Sequence, residues 1–241
     1  MFGGASHDLH YQFFDVSCDG RSPRAAALLA MGSGFMQARF NGQHELSVAS
    51  KKQALFVGIS RDVLEIGPGT GANLVYLPVG VRWIGIEPNT YMHGYLKELG
   101  AKLGLSMDIR MGTAEQLPVP DNSMDTVIST QVLCSVADPA RVLREIQRVL
   151  KPGGRFLFVE HVAAAPGTSL RRWQGLARPV SALLGDGCHP DRETWSDIEQ
   201  AGFALIQMEH FEIASAVLSK PHIAGVATKQ HCLLAGKGRA R

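Results

Sequence analysis

VLEIGPGTGANL, residues 63–74, joins a short apolar run to three glycines and then to a segment of helical character. Val63, Leu64 and Ile66 are strand formers, Glu65 interrupts them, and Gly67, Gly69 and Gly71 follow at alternate positions. Glycine here lets a ligand press against bare backbone, because no Cβ blocks the approach and positive φ costs little. The carboxyl end of a first strand is also where an open α/β sheet binds its ligand. The spacing satisfies G-x-G-x-x-A through Gly67, Gly69 and Ala72 as well, with Glu87 near the distance of a ribose-binding acid. A nicotinamide dinucleotide is therefore one reading of these residues, and a glycine turn that only packs helix against strand is a plainer one.

Outward from this turn, short runs rich in Val, Ile and Phe alternate with helix-like segments, the pattern of βαβ units. Strands are expected at Asp62–Gly67, Arg82–Glu87, Ser106–Met111, Asp125–Thr130, Arg155–Val162, Phe203–Phe211 and about Ile223–Leu234. Helices are expected from Asn89 to the glycine at Gly100, over Pro139–Leu150 behind an Asp138 cap, and over Asp191–Gln200 before Gly202. The result is an α/β fold with a mostly parallel sheet. Residues 1–45 hold Phe2, Phe13, Phe14, Phe35, Met36 and Phe40 among glycines without strand alternation, and read as a lid in front of a domain at 46–241.

With 241 residues, 45% of them hydrophobic, the chain is long enough for one well-buried core. A formal charge of +2, with mixed signs, gives no electrostatic argument for nucleic acid or an anionic membrane. A small-molecule partner is expected. The four cysteines are far apart in sequence with no C-x-x-C pair, so no metal is expected and a reducing compartment is. No apolar run approaches about 18 residues and no signal peptide is evident, which points to a cytoplasmic protein without a transmembrane segment.

Glu65, two residues before the first glycine, is of little use beside a pyrophosphate and of clear use beside a cation. The pattern E-x-G-x-G-x-G resembles motif I of the class I S-adenosylmethionine-dependent methyltransferases. IGIEPN (84–89) resembles their second acidic loop, GTAEQLPVPDNSMDTVIS (112–129) their adenine-side loop and fourth strand, and LKPGGRFLFVEHV (150–162) the helix-turn-strand that follows. The resemblance runs over roughly residues 50–235. It implies a Rossmann-like, seven-stranded, mostly parallel sheet with helices on both faces, and S-adenosylmethionine as methyl donor with S-adenosylhomocysteine as product. It also implies roles: Gly67, Gly69 and Gly71 under the methionyl part and ribose, Glu65 toward the ammonium, and Glu87 accepting both ribose hydroxyls. Pro88 and Asn89 would border the adenine, with Thr113, Ala114 and Glu115 at its edge and Gln131 near the methionyl end. Thr113 departs from the aspartate that many members carry for the adenine amino group.

SVASKKQALF (47–56), QVLCSVADPARVLREIQRVLKPGG (131–154), EHVAA (160–164), LLGDGCHPDRETW (183–195) and PHIAGVATK (221–229) look like segments of the human methyltransferase-like family of alkyl-thiol methyltransferases. That resemblance implies a small thiol or sulfide as acceptor. An oxygen, nitrogen or carbon acceptor on a natural product or quinone-like molecule is the alternative. That resemblance also implies an N-terminal membrane anchor, in whose place the extension described above is expected. Thiolate is the competent nucleophile, and a free thiol has a pKa near ~8.5, so the site needs only a modest push toward the anion. His161 at the end of the fifth strand is the first candidate base and His189, next to Cys188, the second. Glu160 is expected on the face opposite His161. Asp186 is a candidate to orient a histidine, and Trp173 and Trp195 are candidate pocket walls. Arg171, Arg172 and Arg178 would suit an anionic acceptor. Cys134 and Cys188 are expected to be structural.

Overall fold

The computed structural model describes residues 45–184, 187–214 and 216–231. The expected lid therefore lies, except for residue 45, outside the described residues, as do Asp186 and the last residues of the final predicted strand. After a helix at 45–55 (α1), the chain runs β1 (Asp62–Ile66), β2 (Arg82–Ile86), α2 (Met92–Leu103), β3 (Met107–Arg110) and β4 (Met124–Thr130). It continues α3 (Pro139–Val149), β5 (Leu150–His161), α4 (Ser169–Leu184), α5 (Thr194–Gln200), β6 (Leu205–Glu212) and β7 (Pro221–Thr228). One 3-10 turn, Leu74–Tyr76, stands between β1 and β2. No described helix is long and apolar enough to cross a membrane.

The seven strands form one sheet in the order β3-β2-β1-β4-β5-β7-β6. Neighbours from β3 to β5 pair in parallel and β7 runs antiparallel between β5 and β6. Strand order reverses direction between β1 and β4, and at such a switch point the loops leaving adjacent strands part and open a crevice.

Alternation along each strand feeds two apolar layers. Leu64, Ile66, Val127, Phe156 and Phe158 pack on one face with Val142, Leu143, Ile146 and Val149 of α3 and with Ile198 of α5. Val63, Trp83, Ile128 and Leu157 pack on the other with Leu74 and with Leu96 of α2. Burial on both faces is why these strands read as nearly continuous apolar runs. At the amino-terminal rim Lys151 Nζ donates to Asp62 Oδ2 (2.9 Å) and Asp125 Oδ2 (2.8 Å), tying β1, β4 and β5 together away from the crevice.

Three helices differ from expectation at their ends. The helix expected from Asn89 to Gly100 begins at Met92, because Asn89 Oδ1 accepts from Tyr91 N–H and makes a turn first. It continues through Gly100, where a Cβ would strike the Met107 sulfur, so this glycine lets α2 sit close on β3. The chain leaves the helix at Gly104, with φ of 65°. Asp138 caps α3 as expected, accepting from Arg141 N–H at 2.9 Å, but Leu150 belongs to β5. Leu150 pairs with Met124 and Arg155 with Thr126, so the residues between them bulge out of the ladder. The helix expected from Asp191 begins at Thr194.

Gly225, in the middle of β7, is packed against backbone on both sides of its Cα. A Cβ there would meet the Gln207 carbonyl oxygen, the Met208 Cα and the Phe158 ring. Backbone in a central ladder cannot retreat as a side chain can, so Gly225→Ala is expected to cost about 2–3 kcal/mol. In a chain of this size that lowers the melting temperature by roughly 4–12 °C, measurable by calorimetry.

Candidate active site

The loops leaving the carboxyl ends of β3, β2, β1, β4 and β5 line one cavity of about 570 Å³, a size that suits a small organic ligand. β1 contributes Gly67, Gly69 and Asn73, β2 contributes Glu87, Pro88 and Asn89, and the loop after β3 contributes Thr113, Ala114 and Glu115. Gln131 and Cys134 come from the loop after β4, His161 from the end of β5 and Cys188 from the loop before α5. Strand order puts these groups in sequence across the crevice, with Glu87 and Thr113 toward one end and His161 toward the other.

Glu87 is the most constrained acid in the wall. It is 5% exposed. Its Oε2 accepts from Gly69 N–H at 2.9 Å and its Oε1 from Asn89 N–H at 2.8 Å. These two bonds hold the carboxylate in place in the cavity wall. Gly67 and Gly69 have φ of 59° and 55°, and a Cβ on Gly67 would strike the Val132 side chain. Glu115 Oε1 accepts from Ala137 N–H at 3.0 Å and so ties the β3 side of the cavity to the β4 side.

Two expected cofactor contacts are corrected. Glu65 does not line the cavity. It lies on the Val63 face of β1, 1% exposed, with Oε1 accepting from Asn73 Nδ2 (2.8 Å) and Oε2 from Trp83 Nε1 (2.9 Å). Burial pushes its carboxyl above the usual range, and the hydrogen bonds from Asn73 and Trp83 oppose that push. Its role is to aim Asn73, whose Nδ2 also donates to Thr130 Oγ1 at 2.9 Å and whose Oδ1 is left buried without a partner. Gly71 likewise does not line the cavity; a Cβ on it would strike Leu74 and Leu96, so it sets the packing of the turn on α2. Glu65→Ala would orphan two buried donors and is expected to lower stability by about 2–3 kcal/mol, seen in denaturant melts, while cofactor affinity falls far less than on loss of Glu87.

The β4–β5 end of the cavity is built from loops stapled together. Gln131 has φ of 61°, uncommon for a residue with a side chain. Its Nε2 lies 3.1 Å from His222 Nε2, and His222 Nδ1 lies 3.0 Å from Lys220 O. Nδ1 is thus the protonated nitrogen and Nε2 accepts from Gln131. Glu160, fully buried, accepts from Ser129 Oγ (2.6 Å), Val132 N–H (2.9 Å) and Leu133 N–H (3.2 Å). Burial pushes its carboxyl up to about 8 against these donors. Arg192 Nη1 donates to Leu133 O (2.6 Å) and Val136 O (2.7 Å), and His189 N–H to Cys134 O (2.9 Å). These bonds bring the loop holding Cys188 onto the loop holding Cys134.

Cys134, His161 and Cys188 therefore meet in the cavity wall, with His161 Nε2 3.1 Å from Cys188 Sγ. A hydrogen bond from Cys188 holds the Cys134 thiol well below the ordinary range, against its burial, with His161 adding to the effect. That same bond raises Cys188. Burial opposes charge on His161, but the Cys134 anion raises it above its usual value. Cys134 and Cys188, expected to be structural, both line the cavity. His189 is corrected too: it does not line the cavity and its Nδ1 is buried without a partner. In this loop Cys188 faces inward and its neighbour does not.

The remaining candidates fall outside the site. Trp173 is 63% exposed, and Trp195 packs edge-on against His210. Arg171 pairs with Glu193 at 2.8 Å and Arg178 with Asp191 at 3.9 Å. No lysine or arginine among the described residues lines the cavity, whereas Glu45, Glu87 and Glu115 do. The described wall suits a ligand that is cationic and rich in hydrogen-bond donors, and offers a pyrophosphate no lysine or arginine side chain. This disfavours the dinucleotide reading.

Residues 64–158 match the model of a family described as a methyltransferase domain. The chain is 38% identical over 203 residues to human thiol S-methyltransferase TMT1A, covering 79% of this chain and 83% of that protein. It is 38% identical over 207 residues to the thiol S-methyltransferase TMT1B of Rattus norvegicus, covering 81% and 85%. A solved structure of an S-adenosylmethionine-dependent methyltransferase, possible histamine N-methyltransferase, from Thermotoga maritima aligns with a TM-score of 0.61 at 22% identity, over 84% of this chain and all of that one. At that identity the likeness speaks for the fold. A structure of a Bacillus halodurans protein titled a putative methyltransferase aligns with a TM-score of 0.60 at 17% identity, over 75% and 98%.

Proposed function

This chain belongs to the family of S-adenosylmethionine-dependent methyltransferases that includes the thiol S-methyltransferases, and from that membership we propose that its methyl acceptor is a small thiol or sulfide. The single observation that carries the acceptor is the meeting of Cys134, His161 and Cys188 at the β4–β5 end of the cofactor cavity, read with the relatives' 38% identity over most of the chain. When bound, S-adenosylmethionine supplies an electrophilic methyl group on a sulfonium.

The residues present fit that cofactor. Glu87 offers two pinned carboxylate oxygens to a ribose diol, with Gly67 and Gly69 giving close backbone approach. The unpartnered Asn73 Oδ1 is an acceptor for an ammonium, in the role expected of Glu65. Pro88, Asn89, Thr113, Ala114 and Glu115 border the adenine side, and Gln131, fixed by His222, borders the methionyl end. Three acids and no lysine or arginine in the described wall favour a cation.

On the acceptor side the chain has two tasks, to hold a thiol in line with the methyl group and to favour its anion. The Glu160 and Arg192 staples fix the loops that frame this space, and rigid framing supplies much of the rate in a displacement reaction. His161, beside a shared thiol proton, stabilises a thiolate or takes its proton. Free cysteines in the wall also support the cytoplasm as the proposed compartment.

The test is product analysis with S-adenosylmethionine against hydrogen sulfide, methanethiol, a longer alkyl thiol, a phenol and an amine. Methylated thiols are expected, with the phenol and amine untouched. Methylation of the phenol or amine without any thiol product would replace the sulfur reading by the oxygen or nitrogen one.

A further inference from the structure

Two thiols and an imidazole from three distant parts of the chain converge without a disulfide or a filled hydrogen-bond set to account for them. The ligating atoms of Cys134, His161 and Cys188 all lie within 4.8 Å of one another. Around a tetrahedral zinc ion, with Zn–S of about 2.3 Å and Zn–N of about 2.0–2.1 Å, ligand atoms stand roughly 3.5–3.8 Å apart. His161 Nε2 and Cys188 Sγ, 3.1 Å apart, need to part by only about half an ångström to accept such an ion.

The donor set is selective. Two thiolates and a neutral imidazole suit zinc and related borderline ions and do not suit magnesium or calcium, which take oxygen ligands. Three protein ligands leave one tetrahedral position open, the arrangement of catalytic rather than structural zinc. All three residues line the cavity, so an open position has the cavity to face. Cys134 and His161 are 2% and 4% exposed, and His161 Nδ1 is buried without a partner. The bonds from Arg192, Glu160 and the His189 amide hold the two cysteine loops together whether or not an ion is bound.

We propose that Cys134, His161 and Cys188 bind one zinc-class divalent ion, and that the acceptor thiol occupies the fourth coordination position as its thiolate. The acceptor half of this inference rests on the thiol reading above; the ion-binding half does not. With the ion bound, His161 acts as its ligand and favours the thiolate through the metal instead of taking the proton, and the thiol releases its proton to solvent as its sulfur bonds the metal, since a coordinating thiol is deprotonated outright. A sulfur lone pair then forms the bond to the methyl carbon, and the bond from that carbon to the sulfonium breaks with its electron pair staying on the cofactor sulfur. The products are a methyl thioether and S-adenosylhomocysteine, and the neutral thioether, a weaker ligand than thiolate, leaves the metal. Three thiolates around a divalent ion carry a net charge of −1, which favours approach to the cationic sulfonium.

The test is metal content and cobalt spectroscopy on the whole chain kept reduced with a phosphine. About one zinc per chain is expected, and cobalt in its place should give thiolate-to-cobalt charge-transfer bands. Cys134→Ser and Cys188→Ser should each weaken those bands while the melting temperature shows whether the fold persists; Cys188, being less buried, is the safer of the two. A small alkanethiol added without methyl donor should shift the cobalt spectrum. An enzyme that methylates thiols at full rate after chelation to below about a tenth of an ion per chain overturns the metal and leaves the thiol reading standing. A bound ion whose spectrum no thiol moves, in an enzyme that does methylate thiols, overturns the acceptor position. A Cys134–Cys188 disulfide in the fully active enzyme, found by peptide mapping, overturns the site altogether.

Discussion

Glu87→Ala is expected to reduce cofactor affinity by at least about 100-fold, measured by titration calorimetry with S-adenosylmethionine or S-adenosylhomocysteine. The side chain holds two parts of the cavity wall through Gly69 N–H and Asn89 N–H and lines the cavity itself. Hydrogen bonds to a charged group contribute about 1.5–3 kcal/mol each, and two to a ribose diol make roughly 3–6 kcal/mol. At 1.4 kcal/mol per tenfold that is about 10² to 10⁴ in affinity. Truncation also leaves the Gly69 and Asn89 amides without their acceptor, so the loop after β1 loses its register against β2. Glu87→Gln separates these effects, because an amide oxygen still accepts from one backbone N–H while the charge and one acceptor are lost. An intermediate loss is expected for it. Affinity unchanged in both variants would remove Glu87 from the cofactor site.

His161→Ala is expected to lower thiol-methylation turnover by about 10² to 10³ while cofactor affinity stays within about twofold. Loss of a positioned acid or base costs on the order of 10² to 10⁴ in rate. The ring stands against Cys188 at 3.1 Å, at the end of the crevice remote from Glu87 and Thr113. Cofactor binding and turnover should therefore separate, with the loss in kcat larger than any change in the cofactor's Kd. Because His161 is 4% exposed, its truncation opens a void, and the melting temperature must be read beside the kinetics. His161→Gln fills more of that space and still lacks an imidazole. If both variants lose the fold and cofactor binding together, His161 is a packing residue and the chemistry lies elsewhere.

Legibility in the sequence followed distance along the chain. The glycine turn was readable because Gly67, Gly69 and Glu87 come from adjacent parallel strands, and the turn between them leaves few conformations. Gly71 was misplaced because a third glycine in a motif carries no mark of whether a ligand or a neighbouring side chain occupies the space a Cβ would take; Leu74 and Leu96 occupy it. Glu65 held a partial clue. It alternates with Leu64 and Ile66 and so shares the Val63 face, which predicts a buried acid in need of donors, but nothing in sequence identifies Asn73 and Trp83 as those donors. Helix limits failed at Gly100 for a similar reason, since a glycine that stops a helix and one that lets a strand approach look alike until Met107 is in place.

By itself the sequence determined that this is a parallel-sheet α/β chain with a cofactor turn after its first strand, because period, propensity and turn chemistry are local and agree with one another over that stretch. Only the tertiary structure decided that Cys134, His161 and Cys188 share one point in space. They lie on two loops and the end of β5, and what joins them is a set of long-range bonds: Glu160 to Val132 and Leu133, Arg192 to Leu133 and Val136, and His189 N–H to Cys134 O. Such bonds close only after the sheet has brought β4 and β5 side by side, so no spacing in the chain announces them.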